Sequence, residues 1–243
     1  MRLRILNRAL TTKELPIFYR YLFDRSAFVG KGQVSADFFI FALLTGAREG
    51  EIAELEWGDV DGLEGNLGAA TVIFRDTKTH DNRLIPIGPM LALLLKRRRD
   101  MRWKQEKYVF PSYSESGHFE EPKNLTYRFL KLHPGFKHFS IHDIRRTFAS
   151  HGRTEVSDPL IISTLVGHDT KDNTTEKHYT IVGEEIGPVL RESIVAVEAA
   201  LLKKCEHEKV LAEYNLLPRE RLRVAAAEEG TKRGRSRPLK PAN

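Results

Sequence analysis

The sequence predicts an α+β fold that is mainly α-helical, with one small antiparallel sheet set between helical blocks. Three observations lead there. Most of the chain falls into segments of ten or more residues whose apolar positions recur at helical spacing between recognisable caps. Two short β-branched runs, "AATVIFRD" (69–76) and "RLIPIG" (83–88), stand alone among those segments, joined by the polar stretch "TKTHDN". The 243 residues with 41% hydrophobic content suffice for one sizeable core with appendages.

The elements follow in chain order. "TTKE" offers Thr11 and Glu14 as a capping box for a helix carrying Leu15, Phe18, Tyr19, Leu22 and Phe23 on one face. "SADFFIFALLTG" is apolar almost all round, as a buried helix is, and should stop near Gly46. "REGEIAELEW" and the turn-like "GDVDG" lead into the two strands, whose hairpin has a polar tip. "GPMLALLLKRRRDMRW" and "EPKNLTYRFLKLH" read as helices with proline near their starts. Ser140 caps "IHDIRRTFASHGR", and Asp158 with Pro159 opens "PLIISTLVG", which closes on Gly167. A long late helix, residues 184–215, is expected to break near Pro188. From Gly230 onward the chain is expected to be a disordered basic tail.

Composition narrows the function. The net charge of +6 is concentrated, because the last fourteen residues hold five Lys or Arg and no acid. A basic binding face must therefore come from a local cluster, and Lys123–Arg153 supplies it, with seven Lys or Arg, four His and a single acid, Asp143. Cys205 is the one cysteine, so no disulfide can form within the chain and nothing points to an oxidising compartment. No apolar run reaches the ~20 residues that cross a bilayer, and no signal-peptide core follows the start. The reading is a cytoplasmic, nucleoid-associated protein without a membrane partner.

Within the basic stretch, His142 and Arg145 lie three apart on one helix and project from the same face, where both can reach one anion. Arg48 opens the turn after the apolar helix, and Glu51, three residues on, can hold its guanidinium in one orientation. Lys78 stands on the hairpin tip, His168 follows the helix-ending Gly167, and Tyr179 comes eleven residues later in the polar stretch "TTEKHYT". Taken singly, each has an ordinary reading: a solvated basic helix, a surface ion pair, a solubilising lysine, an imidazole against helix carbonyls.

Taken in order they carry a resemblance. "TGAREGEIAELEWGDVD", "TKTHDNRLIPI", "IHDIRRTFASHG" and "LVGHDTKDNTTEKHYT" resemble, in sequence, the first arginine box, the lysine hairpin, the H-x-x-R box and the terminal G-H…Y box of the tyrosine recombinases, also called the phage integrase family. The match runs from roughly Leu10 to Glu198. The resemblance implies a tyrosine-recombinase-type catalytic domain over residues 1–186. It implies Tyr179 as the nucleophile and Arg48, Arg145 and His168 as binders of the scissile phosphate. Lys78 would be the general acid, His142 an acid/base or orienting group, and Glu51 the supporting acid beside Arg48.

The implied activity is that of a site-specific recombinase or integrase, a DNA strand transferase that cleaves and rejoins through a covalent 3′-phosphotyrosyl intermediate. No metal, ATP or other cofactor is expected. The implied partner is double-stranded DNA, with a homo-tetramer on DNA and a monomer or weak oligomer when free. Residues 187–229 form a separate C-terminal helical segment, whose stripe of Val189, Ile194, Val197 and Leu201 could dock on a neighbouring protomer or on the chain's own core. Two departures accompany the resemblance: the gap from His168 to Tyr179 is a residue or two longer than usual, and the N-terminal core-binding domain of intact members is expected to be absent.

The chemistry is intelligible without the resemblance. Attack on a phosphodiester places extra negative charge on its non-bridging oxygens, which forked guanidiniums and an imidazole N–H are suited to bind. A tyrosine of pKa near 10 is only ~0.1% ionised at neutral pH, so a cationic pocket or a base, His142 or His168, must help it. The 5′-oxygen leaves well only when protonated, which a lysine can accomplish. Competing readings are a type IB topoisomerase-like relaxing enzyme, a DNA-binding module without chemistry, and a metal site built from His138, His142, His151, His168 and His178.

Overall fold

The computed structural model describes residues 8–27, 31–75, 82–101, 106–167 and 183–216. The helices are α1 (Leu15–Ser26), α2 (Lys31–Thr45), α3 (Glu49–Ala53), α4 (Pro89–Met101), α5 (Lys123–Leu132), α6 (Ile141–Glu155), α7 (Pro159–Val166), α8 (Gly183–Lys204) and α9 (His207–Leu216). Between α3 and α4 lies an antiparallel sheet of β1 (Val60–Asp61), β2 (Thr71–Phe74) and β3 (Arg83–Pro86), in the order β1-β2-β3. The expected mainly helical α+β architecture is borne out. β1 escaped the sequence reading because two residues are too few to show alternation.

The core forms around α2. Phe38 to Leu44 are all at most 1% exposed, as an all-round apolar helix requires, and α1, α4, α6 and α8 pack against it. Edge-on rings knit α1 to the α5–α6 region, with Phe18 centred 5.0 Å from Phe129 and 4.9 Å from Phe139. The expected caps form. Thr11 and Glu14 exchange hydrogen bonds just ahead of α1, Asp158 Oδ1 accepts from Leu160 N at 2.8 Å, and Asp143 Oδ2 accepts from Ser140 N at 2.9 Å. No helix among the described residues is long and apolar enough to cross a membrane.

One expectation about the late helix is corrected. α8 runs through Pro188, its sixth residue, without a break. The interruption falls instead at Cys205–Glu206, where Glu206 adopts φ +53° and α9 begins. Of the two partners left open for the apolar stripe, the chain's own core covers most of it: Ile194, Val197 and Leu201 are fully buried, and α8 packs on α2, α6, α7 and β3. Val189 alone of the four is exposed. α8 also crosses the expected boundary at residues 186–187. The tail from 230 lies outside the described residues.

α8 is tied down by polar contacts as well. Glu198, 2% exposed, turns its carboxylate onto the N-terminus of α4, accepting from Met90 N at 2.8 Å and Leu91 N at 3.1 Å. Arg191 donates to the carbonyls of Gly68, Ala69 and Ala70.

Candidate active site

The site is built where three chain turns meet: the α2–α3 junction, the start of β3 and the end of α7. Gly46 ends α2 at φ +63°, a conformation glycine adopts freely, and a Cβ there would stand 2.5 Å from the Phe148 ring of α6. That close approach lets α2 end directly against α6. Arg48, two residues on, becomes the N-cap residue of α3, and Glu51 at the third helical position reaches back to accept from Arg48 N at 2.8 Å.

Glu51 is the hub. Its Oε1 accepts from Arg48 Nη1 at 2.8 Å, its Oε2 from Arg83 Nη2 at 2.7 Å, and its side chain is only 6% exposed. The expected Arg48–Glu51 pair is present, and the structure adds Arg83, which sequence reasoning did not single out. The signal was faint: an arginine opening a strand reads as hairpin solubility until the register shows which face it takes. Here Arg83 pairs with Phe74 across the sheet and lays its guanidinium over that ring, 4.8 Å from the centroid.

α6 supplies the third guanidinium. The capping box of Ser140 and Asp143 fixes the first turn of α6 and consumes the one acid of the basic stretch, since Asp143 also accepts from Arg8 N at 3.1 Å. Arg145, one turn later and 6% exposed, donates from Nη1 to the carbonyl of Gly46 at 2.7 Å and to that of Val166. His142 sits at the exposed beginning of the same helix, on the same side as Arg145.

The three arginines converge on the end of α7. Arg83 Nη1 donates to Leu165 O at 2.6 Å, Arg145 Nη1 to Val166 O, and Arg48 Nη2 to Gly167 O. Three consecutive carbonyls at a helix C-terminus, which carry the negative end of its dipole, are thus each met by a guanidinium. Gly167 closes the helix at φ +64°, and a Cβ there would lie 2.7 Å from Arg83 Nε. Only glycine both takes this turn and leaves room for the guanidinium behind it.

Three positive charges share one carboxylate, and the electrostatics reflect it. Burial, with the charges of Arg48 and Arg83 against a partial offset from Glu51, pushes the Arg145 guanidinium down to about 10. Arg83 is lowered too, by burial and then Arg48, against the pull of Glu51. Both remain cationic at neutral pH, so the cluster holds positive charge in excess of its own acids, a state that an incoming anion relieves. His142 is shifted below the usual histidine value, first by desolvation and then by Arg146 and Arg145, with Asp143 opposing. Its imidazole is therefore neutral at pH 7 and able to accept a proton.

Of the expected site residues, then, Arg48, Glu51 and Arg145 are brought together, with His142 one turn away on α6. Lys78, His168 and Tyr179 lie outside the described residues. Among the described residues, no three His, Cys, Asp or Glu side chains gather as a metal would require, and His151, one of the five histidines weighed for a metal, lies 3.1 Å from Leu10 O through its Nε2.

Comparison with known proteins matches residues 22–185 to the family described as "Phage integrase family". The chain is 34% identical over 140 residues to the prophage integrase IntF of Escherichia coli, covering 56% of this chain and 28% of that protein. It is 30% identical over 138 residues to the tyrosine recombinase XerC of Xanthomonas campestris pv. campestris, covering 56% of this chain and 40% of the relative. Among solved structures, the integrase of mycobacterium phage Brujita superposes with TM-score 0.55 at 16% identity, covering 84% of this chain and 65% of that one. The XerH site-specific recombinase, bound to its difH substrate, superposes with TM-score 0.54 at 17% identity over 73% of this chain and 51% of its own. These structures share the fold. The chain spans well under half the length of the two curated relatives.

Proposed function

Since the chain belongs to the phage integrase family, we propose that it cleaves and rejoins double-stranded DNA at specific sites through a 3′-phosphotyrosyl bond to Tyr179. The observation that carries this reading is the convergence of Arg48, Arg83 and Arg145 on the last turn of α7, with Glu51 bonded to two of them, a cluster of excess positive charge that ends one residue before His168 in the chain. A scissile phosphate bound by Arg48, Arg145 and His168 would supply the missing negative charge, and more of it as the transition state forms. Positioning and charge account for most of the catalysis in phosphoryl transfer of this kind.

The Tyr179 oxygen attacks phosphorus while its proton passes to a neutral imidazole, His142 or His168. The bond from phosphorus to the 5′-oxygen breaks, and that oxygen takes a proton from Lys78. The products are a 3′-phosphotyrosyl ester and a free 5′-hydroxyl; attack by the 5′-hydroxyl of another strand reverses the step and joins the strands. The ester conserves the bond energy, so no nucleotide triphosphate is consumed. The XerH recombinase, which shares the fold, is bound to its difH substrate. We extend double-stranded DNA as partner to this chain on that basis, and a homo-tetramer on it because exchange between two duplexes requires four strand cleavages.

The test uses a pool of nicked suicide duplexes of random core sequence, because a nick beyond the cleavage point lets the 5′ fragment diffuse away and traps the ester. The wild-type chain should yield protein–DNA adducts on denaturing electrophoresis, and sequencing the trapped DNA gives the site. Tyr179→Phe removes one oxygen with almost no change in volume, so it should bind DNA and form no adduct. Adducts that persist in this variant would assign another nucleophile. Salt-sensitive binding with no adduct in the wild type would leave only a DNA-binding module, and relaxation of supercoils without strand exchange would favour the topoisomerase-like alternative.

A further inference from the structure

We infer that Arg83 is a positioning residue of this site: it sets the phosphate-binding guanidiniums and the turn before His168 in one register, and acts through them without touching DNA. The inference rests on the recombinase reading above and goes beyond the residues that the family resemblance assigned.

Arg83 has the contacts of a bracket. One arm of its fork, Nη2, holds Glu51 Oε2 at 2.7 Å, and the other, Nη1, holds Leu165 O at 2.6 Å. Its Nε is buried without a hydrogen-bond partner and faces the Cα side of Gly167, where a Cβ would lie 2.7 Å away. The ring of Phe74 closes the opposite face at 4.8 Å. With its side chain 15% exposed, this guanidinium spends both ends of its fork inside the protein. Arg48 and Arg145 also hold carbonyls of the same turn, but each stands at a place an anion can approach: Arg48 at the N-cap of a helix with its side chain 28% exposed, and Arg145 one turn from the exposed His142.

The consequence is mechanical. Glu51 orients Arg48 by two bonds, one from the side chain and one from the backbone, and Arg83 fixes Glu51 in turn. The same guanidinium fixes the last turn of α7, so the strand that begins at Arg83 ties the α3 side of the site to the α7 side. Guanidinium geometry is needed for this, because the two acceptors are held by separate nitrogens of one planar fork. A lysine at 83 keeps the charge and can reach one acceptor at a time.

Arg83 also opens β3 five residues after Lys78 in the sequence, which suggests a rival route: Arg83 could act by placing the lysine. The two routes separate experimentally. Arg83→Lys and Arg83→Met, each in the full chain, would be followed by single-turnover adduct formation on the suicide duplex, DNA affinity, and amide hydrogen exchange over residues 160–167. Positioning through Glu51 and α7 predicts a rate constant down roughly 10- to 100-fold for Met, with adduct amplitude and DNA affinity preserved. Lys should fall between Met and the wild type. Exchange in the α7 turn should quicken in Met. A substrate with a 5′-bridging sulfur, which leaves without protonation, should fail to restore the rate.

Rescue by the sulfur substrate would move Arg83 to the lysine route and overturn the inference. Affinity falling in step with rate would make Arg83 a DNA contact, and a wild-type rate in Met would remove it from the site. Should Met be too unstable to purify, the Lys variant carries every arm. If the wild type forms no adduct with any duplex, the recombinase reading fails by itself; the exchange measurement then still decides whether Arg83 holds the α7 turn.

Discussion

Replacing Glu51 by glutamine tests the electrostatic core of the site without presuming any reaction. The substitution keeps shape and volume but removes the one charge that three guanidiniums share, and it turns an NH2 toward donors. Glu51 accepts at 2.8 Å from Arg48 Nη1, at 2.7 Å from Arg83 Nη2 and at 2.8 Å from Arg48 N, and glutamine can satisfy no more than part of this set. Removing one partner of a buried pair costs ~3–5 kcal/mol. Because the Arg48 side chain is 28% exposed, water screens part of that loss and the lower end applies. About 3 kcal/mol corresponds to a fall in Tm of roughly 6–12 °C for a domain of this size. The repulsion uncovered is between cations, so an anion should relieve it: inorganic phosphate should raise the Tm of Glu51→Gln more than that of the wild type, by binding the native state alone. Thermal unfolding of both proteins across a phosphate series reads both effects. A variant with unchanged Tm, or an equal phosphate response in the two proteins, would refute the account of Glu51 as the counter-charge of the cluster among the described residues.

Three further outcomes are expected. Gly46→Ala combines a left-handed backbone with a Cβ 2.5 Å from the Phe148 ring, so it should cost about 2–4 kcal/mol in thermal or urea unfolding; an unchanged midpoint would show that α6 yields easily. The lowered His142 pKa means that its neutral form persists below the ordinary value of 6.5 and is lost only as pH falls further, so adduct formation should hold through pH 6.5. Because the unfolded chain protonates first, that group's contribution to stability should decline over the same descent from 6.5. Arg146→Ala removes a repelling charge and should move the acid limb to higher pH, and an NMR titration of His142 that does not shift would break this link. Lys78→Ala should slow cleavage by ~10²-fold or more with little change in DNA affinity, and a 5′-bridging sulfur should restore it; a mutant no faster on the sulfur substrate would dismiss Lys78 as the general acid.

What the sequence revealed of this site was whatever local chemistry encodes. Caps are local, so Ser140, Asp158, Gly46 and Gly167 could be read at their positions and mark the ends of α2, α6 and α7 where the structure has them. The Arg48–Glu51 pair is three residues long and was legible for the same reason. Arg83 was not, because its significance depends on a strand register and on carbonyls 82 residues further along. The same limit explains the late helix. A proline flags a possible break by local rule, yet the break fell at Glu206, and the apolar stripe of α8 carried no mark of whether its partner was the same chain or another. Periodicity states that a face will be covered; only the assembled fold states by what.

The buried Glu198 bears on how the chain is made. The first N–H it accepts from, that of Met90, lies 108 residues earlier, and Gly88 beside it leaves no space for a side chain between the carboxylate and the backbone, where a Cβ would lie 2.3 Å from the Glu198 carboxyl carbon. During synthesis at ~5–20 residues per second, the N–H groups of Met90 and Leu91 therefore wait roughly 5 to 20 s for their acceptor to be translated. Over that interval α4 and the face of α2 that α8 will cover are on the ribosome without their lid. A cell short of chaperones should lose this protein to aggregation chiefly from nascent chains that end before residue 198, and ribosome-stalled chains ending on either side of that position should differ sharply in protease resistance.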